Sequence, residues 1–458
     1  MENSKEVNSK NVKLLLLYFS IAFIVIGIIG GIYTGTLSDM VPGFIRIITS
    51  PAQLTRDYFK LGGIAGCFLN VGLSGLLGVA LAYIFGTVAN GATIAGFFLV
   101  TGFAFFGLNF LNIIPCMLGV LVYGMVTKKK LGTVVNLCMF STALSPFISE
   151  VLFRYPATGG DEIMGASLVP TGIVLAIVLG LLIGFFMPPL CAHAQNYHKG
   201  YDLYNAGPAA GFLACVFVGL LWKLTGIAKP GNTFVGSGTF TNAAGVEVSY
   251  DMFIIVTFAI MFIIPLIVGF VSNGDYGKVL ADAGHKSDFV DNYGFSAVCK
   301  NLGFYGLFLL AFYSILHFCF GAKFTGPTVG AIICAYTFVG AGAHPKNVWP
   351  IAAGYVIAGL LATMVFQPML GLEKAGLTLA TQAIVVGFAF STGMAPISGK
   401  HGFIWGIIAG IIHFSIVTIL PDLHWGFNLY NGGLTSGVVA FVLIPFIEQY
   451  WPDKAEAK

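Results

Sequence analysis

The sequence predicts an all-α polytopic integral membrane protein made of two inverted-topology repeats, each of about seven helical segments, and three observations carry that prediction. Apolar residues make up 57% of the chain, charged residues only 9%, and mean hydropathy is +0.89, whereas soluble domains are about a quarter charged. Second, His198 to Gly211 (HKGYDLYNAGPAAG) and His424 to Gly437 (HWGFNLYNGGLTSG) align without a gap, 226 residues apart. Third, each copy holds an odd number of apolar segments, so the second copy enters the bilayer from the other side, and the halves are related by an axis in the membrane plane.

The segments fall near 14–35, 61–85, 91–108, 112–126, 132–153, 166–189 and 206–226, then 251–272, 296–320, 327–342, 347–366, 375–391, 402–420 and 433–450. A crossing helix needs about 20 apolar residues, and lipid admits only helices or closed barrels. Runs of these lengths predict helices. The first is longer than a signal-peptide core and no A-x-A site follows, so it is a retained helix. The second contains Asn70 among small residues, matched by Asn301 at 231; buried amides of this kind hold membrane helices together. Between Gly75 and Gly86 the first copy is four residues shorter than the second is between Gly306 and Gly321, close to one helical turn.

Segments three and four carry a run of matches at 235 that includes Gly91 with Gly326, Gly107 with Gly342, Asn112 with Asn347 and Pro115 with Pro350. Segment four is short for a crossing, and Asn-x-x-Pro is how a half-helix starts from a loop. The pair is therefore either two tilted crossings or a re-entrant hairpin whose tip, with His344, Lys346 and Asn347, lies at membrane depth. Either choice leaves the segment count odd. Segment five holds Glu150, an intramembrane acid and a coupling-proton candidate by default; its spacing to Arg154 equally predicts a boundary ion pair. Its aligned position is near Val386, so it is not duplicated. The polar insertion Arg154 to Glu162 predicts an external loop, after which Pro170, Gly180 and Gly184 match Pro396, Gly406 and Gly410 at 226.

Segment seven starts at the repeated Leu-Tyr-Asn turn, where Tyr204, Asn205 and Gly207 match Tyr430, Asn431 and Gly433. The asparagines predict helix caps and the glycines a close backbone approach. A helix N-terminus inside a membrane protein favours an anionic or strongly polar ligand; the competing reading is a plain helix-starting turn. Inversion predicts that the two turns face opposite sides of the membrane. His413 and Glu448 read as packing and boundary residues. Repeat boundaries fall at 1–235 and 236–458, and no polar connection is large enough for a core of its own.

Several classes are excluded. A net charge of +3 with no basic run beyond Lys128 to Lys130 gives no nucleic-acid surface. Eight cysteines without C-x-x-C spacing predict neither disulfides nor a metal site, and no cofactor or Walker motif is present. Gly72-Leu-Ser74-Gly75 has the form seen around an intramembrane protease nucleophile, with His401 or His413 as nominal base; the second copy has Tyr305 at that place, and a short pattern among 60 glycines arises by chance. No catalytic constellation emerges, so an enzyme is not expected. Lysine placement favours both termini on the cytoplasmic side.

With two copies each running from the Asn-x-Gly-x-x-Gly helix to the Leu-Tyr-Asn turn, the chain resembles a bacterial family of multi-spanning membrane proteins made of a duplicated domain of unknown function. The resemblance implies a bacterial inner-membrane location and supplies no substrate, cofactor or catalytic residue. Inverted duplication with matched helix breaks leads to the expectation of a permease for a small polar or anionic solute, with its site near the midplane, by analogy at the level of fold. The lipid bilayer and that solute are the expected partners, with a homo-oligomer as a further option. An intramembrane enzyme or a non-transporting scaffold is the alternative.

Overall fold

A chain this poor in polar side chains has to satisfy its backbone internally, and the computed structural model, which describes residues 2–157, 170–231, 236–242, 244–372 and 376–451, is helical almost throughout. The first half contains α1 (Glu2–Thr34), α2 (Met40–Ile48), α3 (Tyr58–Ile84), α4 (Gly91–Phe103), α5 (Ile113–Val126), α6 (Val135–Phe140), α7 (Pro146–Phe153), α8 (Pro170–Tyr197) and α9 (Ala206–Val218). A short ribbon, β1 (Thr239–Thr241) and β2 (Glu247–Ser249), precedes the second half. That half contains α10 (Asp251–Val271), α11 (Tyr276–Ala281), α12 (Phe289–Tyr293), α13 (Phe295–Phe320), α14 (Gly326–Ala335), α15 (Pro345–Leu360), α16 (Gln367–Met369), α17 (Gln382–Ser391), α18 (Ala395–His401), α19 (Phe403–Ile416), α20 (Pro421–His424) and α21 (Asn431–Tyr450). Among the described residues nine helical stretches are long and apolar enough to cross a membrane, and α6 with α7 makes a further span bent by 52°. The expected loop Arg154 to Glu162 lies outside the described residues from position 158 onward.

Side-chain contacts fix the path. Ser9 near the start of α1 accepts from Ala89 N at 2.9 Å, and Lys199 after α8 pairs with Glu448 near the end of α21; we call the surface carrying the start of α1 and the end of α21 the terminal face. The chain crosses on α1 and returns on α3. Helix α4 then starts at the terminal face and stops inside the protein, where Asn70 of α3 donates to Ala104 O at 2.8 Å and Leu108 O at 3.2 Å. Helix α5 goes back to where it came from, since Gly132 beyond its end abuts the Phe85 carbonyl beyond the end of α3. In the second half Asn301 donates to Val339 O and Ala343 O, each at 2.8 Å. There α14 starts and α15 ends at the opposite face, where Gln382 at the head of α17 bonds Thr325 and Thr328. Both short pairs therefore fold as hairpins that start and end on one face, and since a hairpin adds an even number of passes each half makes an odd number of crossings, of opposite sense.

The glycine kink at Gly63 (φ 69°) and its match at Gly294 (φ 81°) set the start of the straight part of α3 and α13. From those glycines α13 runs about one turn further than α3, as the four-residue difference predicts. One alignment is corrected. The broken span α6–α7 corresponds to α17–α18, and its break, Phe140-Ser-Thr to Pro146, matches Phe390-Ser-Thr to Pro396 at 250. Pro396 is thus the partner of Pro146 and not of Pro170, and Glu150 aligns with Lys400 and not with Val386. Gly180 and Gly184 keep their partners, because they pack on Pro115 and Cys116 as Gly406 and Gly410 pack on Pro350 and Ile351.

The two halves exchange their Leu-Tyr-Asn turns. Leu203 N donates to Gly393 O at 2.9 Å, in the break between α17 and α18, and Leu429 N donates to Ala143 O at 3.0 Å, in the break between α6 and α7. Each turn thereby dips from its own face into the broken helix of the other half, and α9 and α21 meet at their N-termini, with Gly207 against Gly433. The turns do not sit at opposite faces. They meet on the pseudo-two-fold axis, because each is drawn inward by the unpaired carbonyl of a helix break.

A Cβ at Gly207 would overlap the Gly433 backbone, while a Cβ at Gly219 meets nothing. Gly207→Val is therefore expected to cost about 1–3 kcal/mol or more from overpacking, seen as a lowered unfolding midpoint in detergent, and Gly219→Val to leave the midpoint within a degree or two. Single cysteines introduced after Lys199 and after Leu423 are expected to label from opposite sides of the membrane; labelling of both from one side would refute the inverted path.

Candidate functional site

Short half-helices inside a membrane protein leave N–H groups that water cannot reach, and the chain supplies acceptors from the other half. Asp57 caps α3 through Phe59 N at 2.8 Å and also accepts from Gly326 N, the first residue of α14, at 3.0 Å. Its partner at 231, Asp288, caps α12 and accepts from Gly91 N, the first residue of α4, at 2.9 Å. The hairpin tips are locked from within. Asn112 donates to Gly107 O at 3.1 Å and Asn347 to Gly342 O at 2.8 Å, while Asn109 and His344 make the reciprocal turn contacts.

Beside the axis lies a cavity of about 310 Å³ that opens toward the terminal face. Its walls are Leu99, Tyr123, Leu137, Phe140, Pro188, Pro189 and Cys191; Tyr204, Asn205 and Ala206 at the start of α9 form its floor, and Lys129 and Gln195 stand at its mouth. Lys129 donates to Tyr123 Oη at 3.1 Å. No carboxylate lines it. A lysine and the N-terminus of α9 therefore set its sign, which favours an anionic or strongly polar guest.

The symmetry mate of this cavity is nearly gone. Gly387, Phe390, Val417, Pro421, Leu429, Asn431 and Gly432 stand where Leu137, Phe140, Cys191, Gln195, Leu203, Asn205 and Ala206 stand in the first half, and they enclose only about 30 Å³. Two polar contacts stitch it shut. His424 Nε2 meets Asn431 Oδ1 at 3.0 Å, and Asn431 donates to Val417 O at 2.9 Å. Behind it Tyr355 Oη bonds His413 Nδ1 at 2.6 Å, and His413 Nε2 meets Gly432 O at 3.0 Å.

In the open half the equivalent side chains, His198 and Asn205, still face each other, but His198 Nε2 and Asn205 Oδ1 make no hydrogen bond of regular geometry. The two rings are held alike: His198 Nδ1 accepts from Asp202 N and His424 Nδ1 from Asn428 N, both at 3.3 Å, so each carries its proton on Nε2. Burial keeps both neutral, lowering His198 and His424 to about 4. The same two side chains thus form a latch that is regular on one side of the axis and loose on the other.

Of the residues singled out in the sequence, Tyr204 and Asn205 floor the open cavity, Asn431 is the latch of the closed one, and Tyr430 packs on Phe103. Gly207 and Gly433 form the axis contact. Neither Asn205 nor Asn431 caps a helix; Asp202 and Asn428 hold the turns instead, accepting from Tyr204 N at 2.9 Å and Tyr430 N at 3.0 Å. Asn70, Asn301, Asn112 and Asn347 bind hairpin backbone. His344, Asn347 and Pro350 also line a separate cavity of about 280 Å³ beside Asp282 and Lys346 at the terminal face, away from the axis. Glu150 makes a bidentate pair with Arg154, both contacts 2.7 Å, fully buried. Ser74 Oγ has no hydrogen-bond partner, and His413 is engaged by Tyr355. Among the described residues no three His, Cys, Asp or Glu side chains gather as a metal site.

Sequence reasoning missed Asp57 with Asp288 and His198 with His424. The signal was present: Asp57 and Asp288 share the 231 spacing of the two asparagines, and the histidines begin the matched stretch itself. Asp57→Ala is expected to strand Phe59 N, Lys60 N and Gly326 N and to cost at least about 2 kcal/mol, read as a lowered unfolding midpoint, with Asp57→Asn, which keeps an acceptor, costing less.

Comparison with known proteins agrees with the two-copy architecture. No curated protein and no solved structure matches the chain. One family model, described as protein of unknown function DUF1576, matches twice, over residues 36–223 and 272–449, which are the two halves interlocked at the axis. The chain is a member of the DUF1576 family and carries two copies of its domain.

Proposed function

We propose that the chain is a permease, a secondary carrier of a small polar or anionic solute that works by alternating access. The observation that supports this reading is the unequal pair of cavities, about 310 Å³ on one side of the pseudo-two-fold axis and about 30 Å³ at the equivalent place on the other. Two halves with the same fold have adopted different arrangements of the same residues. Exchanging those arrangements gives a carrier open to the other side, and a solute that binds both states moves between them. The cavity sits at helix breaks near the midplane, where irregular backbone is tolerated only against protein or water. Lys128 to Lys130, Lys199, Lys278, Lys286 and Lys400 gather toward the terminal face, which we assign to the cytoplasm of a bacterial inner membrane. A carrier suits the cavity better than an enzyme, since no nucleophile and base meet there.

The first test is a thermal-shift screen of small organic and inorganic anions and polar metabolites on the purified chain. A guest that stabilises the parent is expected to lose most of its shift in Asn205→Ala; a shift that survives that change would sink the site assignment. The second concerns the latch. Val417→Cys, buried in the closed cavity, is expected to label from the opposite face roughly tenfold faster when His424 is also changed to Ala, since breaking the latch shifts the population of the closed state; equal rates would remove the latch from the mechanism.

A further inference from the structure

We propose that the hollow beside the hairpin tip Gly342 to His344 binds one anionic glycerophospholipid of the terminal-face leaflet, with its phosphodiester at Lys346 and a tail along the start of α19. The site lies away from the axis and does not depend on the carrier reading. Two hollows meet there. The first, about 280 Å³, is polar, lined by Asp282 after α11, His344 and Lys346 at the head of α15, and Ser398 of α18. The second, about 490 Å³, is apolar and aromatic, lined by Ile404, Trp405 and Ile408 of α19 and by Trp451 beyond α21. Gly402 and Phe403 line both. Nothing lies within 4 Å of where a Cβ on Gly402 would stand, so no side chain separates the two hollows at that glycine.

The polar hollow has one charge to offer a guest. His344 is used within the fold, since Nδ1 accepts from Asn347 N at 3.3 Å and Nε2 meets the Asp282 carbonyl at 2.9 Å. The Asp282 carboxylate is held by Gly284 N at 2.6 Å, Ser287 Oγ at 2.7 Å and Tyr293 Oη at 2.6 Å. Lys346 makes no ion pair with a described residue. The depth of the site is marked by its aromatics: exposed Trp349 stacks on Phe403, and Trp405 packs edge-on against exposed Trp451. Tryptophan gathers at the headgroup level of a bilayer, where a phosphate stands above its chains, and basic pockets between helices at that level take lipid headgroups. A free anion has no use for the apolar hollow. The other half lacks these features, with Leu111 in place of Lys346 and Ile114 in place of Trp349 at 235, and Leu152 in place of Gly402 at 250. Lysine, tryptophan and glycine thus occur together on one face only, and a packing need shared by the two hairpins does not explain them.

The test uses the whole purified chain, stripped of lipid in detergent, with dioleoylphosphatidylglycerol as the probe. Native mass spectrometry is expected to show one retained adduct whose affinity falls about fivefold in Lys346→Leu and is unchanged in Lys323→Leu, at the opposite face. Dioleoylphosphatidylcholine, with the same tails and no net charge, is expected to bind at least about fivefold more weakly than the anionic lipid. Equal retention of the two lipids, or equal retention by the parent and Lys346→Leu, would overturn the proposal. A phosphatidylglycerol with a photoreactive tail gives a readout that needs no variant: its cross-links are expected to concentrate on the first turns of α19, and cross-links spread evenly over the lipid-facing helices would overturn the site even if Lys346→Leu does not fold. Inorganic phosphate and glycerol 3-phosphate in excess are expected to leave the adduct in place. Displacement by either would show a free-anion site and overturn the assignment to lipid.

Discussion

Backbone polar groups that leave a helix at membrane depth have no water to turn to, and each one left unpaired costs several kcal/mol. This chain breaks its helices among buried residues in both hairpins, in both bent spans and at both Leu-Tyr-Asn turns. Every break is closed by a group from elsewhere in the fold, and the most telling closures come from the opposite half. Leu203 finds Gly393 and Leu429 finds Ala143; Asp57 reaches Gly326 and Asp288 reaches Gly91. The halves are therefore not two domains placed side by side. Each supplies what the other lacks.

That exchange also explains the glycines at the centre. Drawing two turns inward to carbonyls on either side of an axis brings α9 and α21 together head to head, and backbone can approach backbone so closely only where no Cβ intervenes. Gly207 and Gly433 meet that demand. The same head-to-head arrangement points two helix N-termini at one region, which concentrates positive potential where no carboxylate lines the cavity.

Symmetry of sequence does not enforce symmetry of structure. His198 with Asn205 and His424 with Asn431 have matching backbones and matching tautomers, yet one pair makes a regular hydrogen bond and the other only a loose contact. The second half has extra means of closure, since Tyr355 and His413 replace Val120 and Met187 at the equivalent places. The first half instead has a carboxylate, Asp202, where the second has an amide. These few departures from the repeat give the molecule two unlike sides, as a device that cycles between two states requires.

The sequence by itself determined much of this. Hydropathy set the membrane and the helices, the 226 and 235 spacings set the duplication, and an odd count set the inversion, because each is a local or counting property. It also marked Asn70 with Asn301 and Asn112 with Asn347, since a polar pair repeated in apolar sequence has no other reason to recur. Tertiary structure decided the rest. Where the short segments turn depends on Asn70 reaching Ala104, a contact no periodicity encodes. The partner of Pro396, and so of Glu150, was misread because insertions of unlike length cancel in a linear alignment. Above all, only the fold could show that the two turns converge instead of facing apart, because their destinations are carbonyls on the other half of the chain.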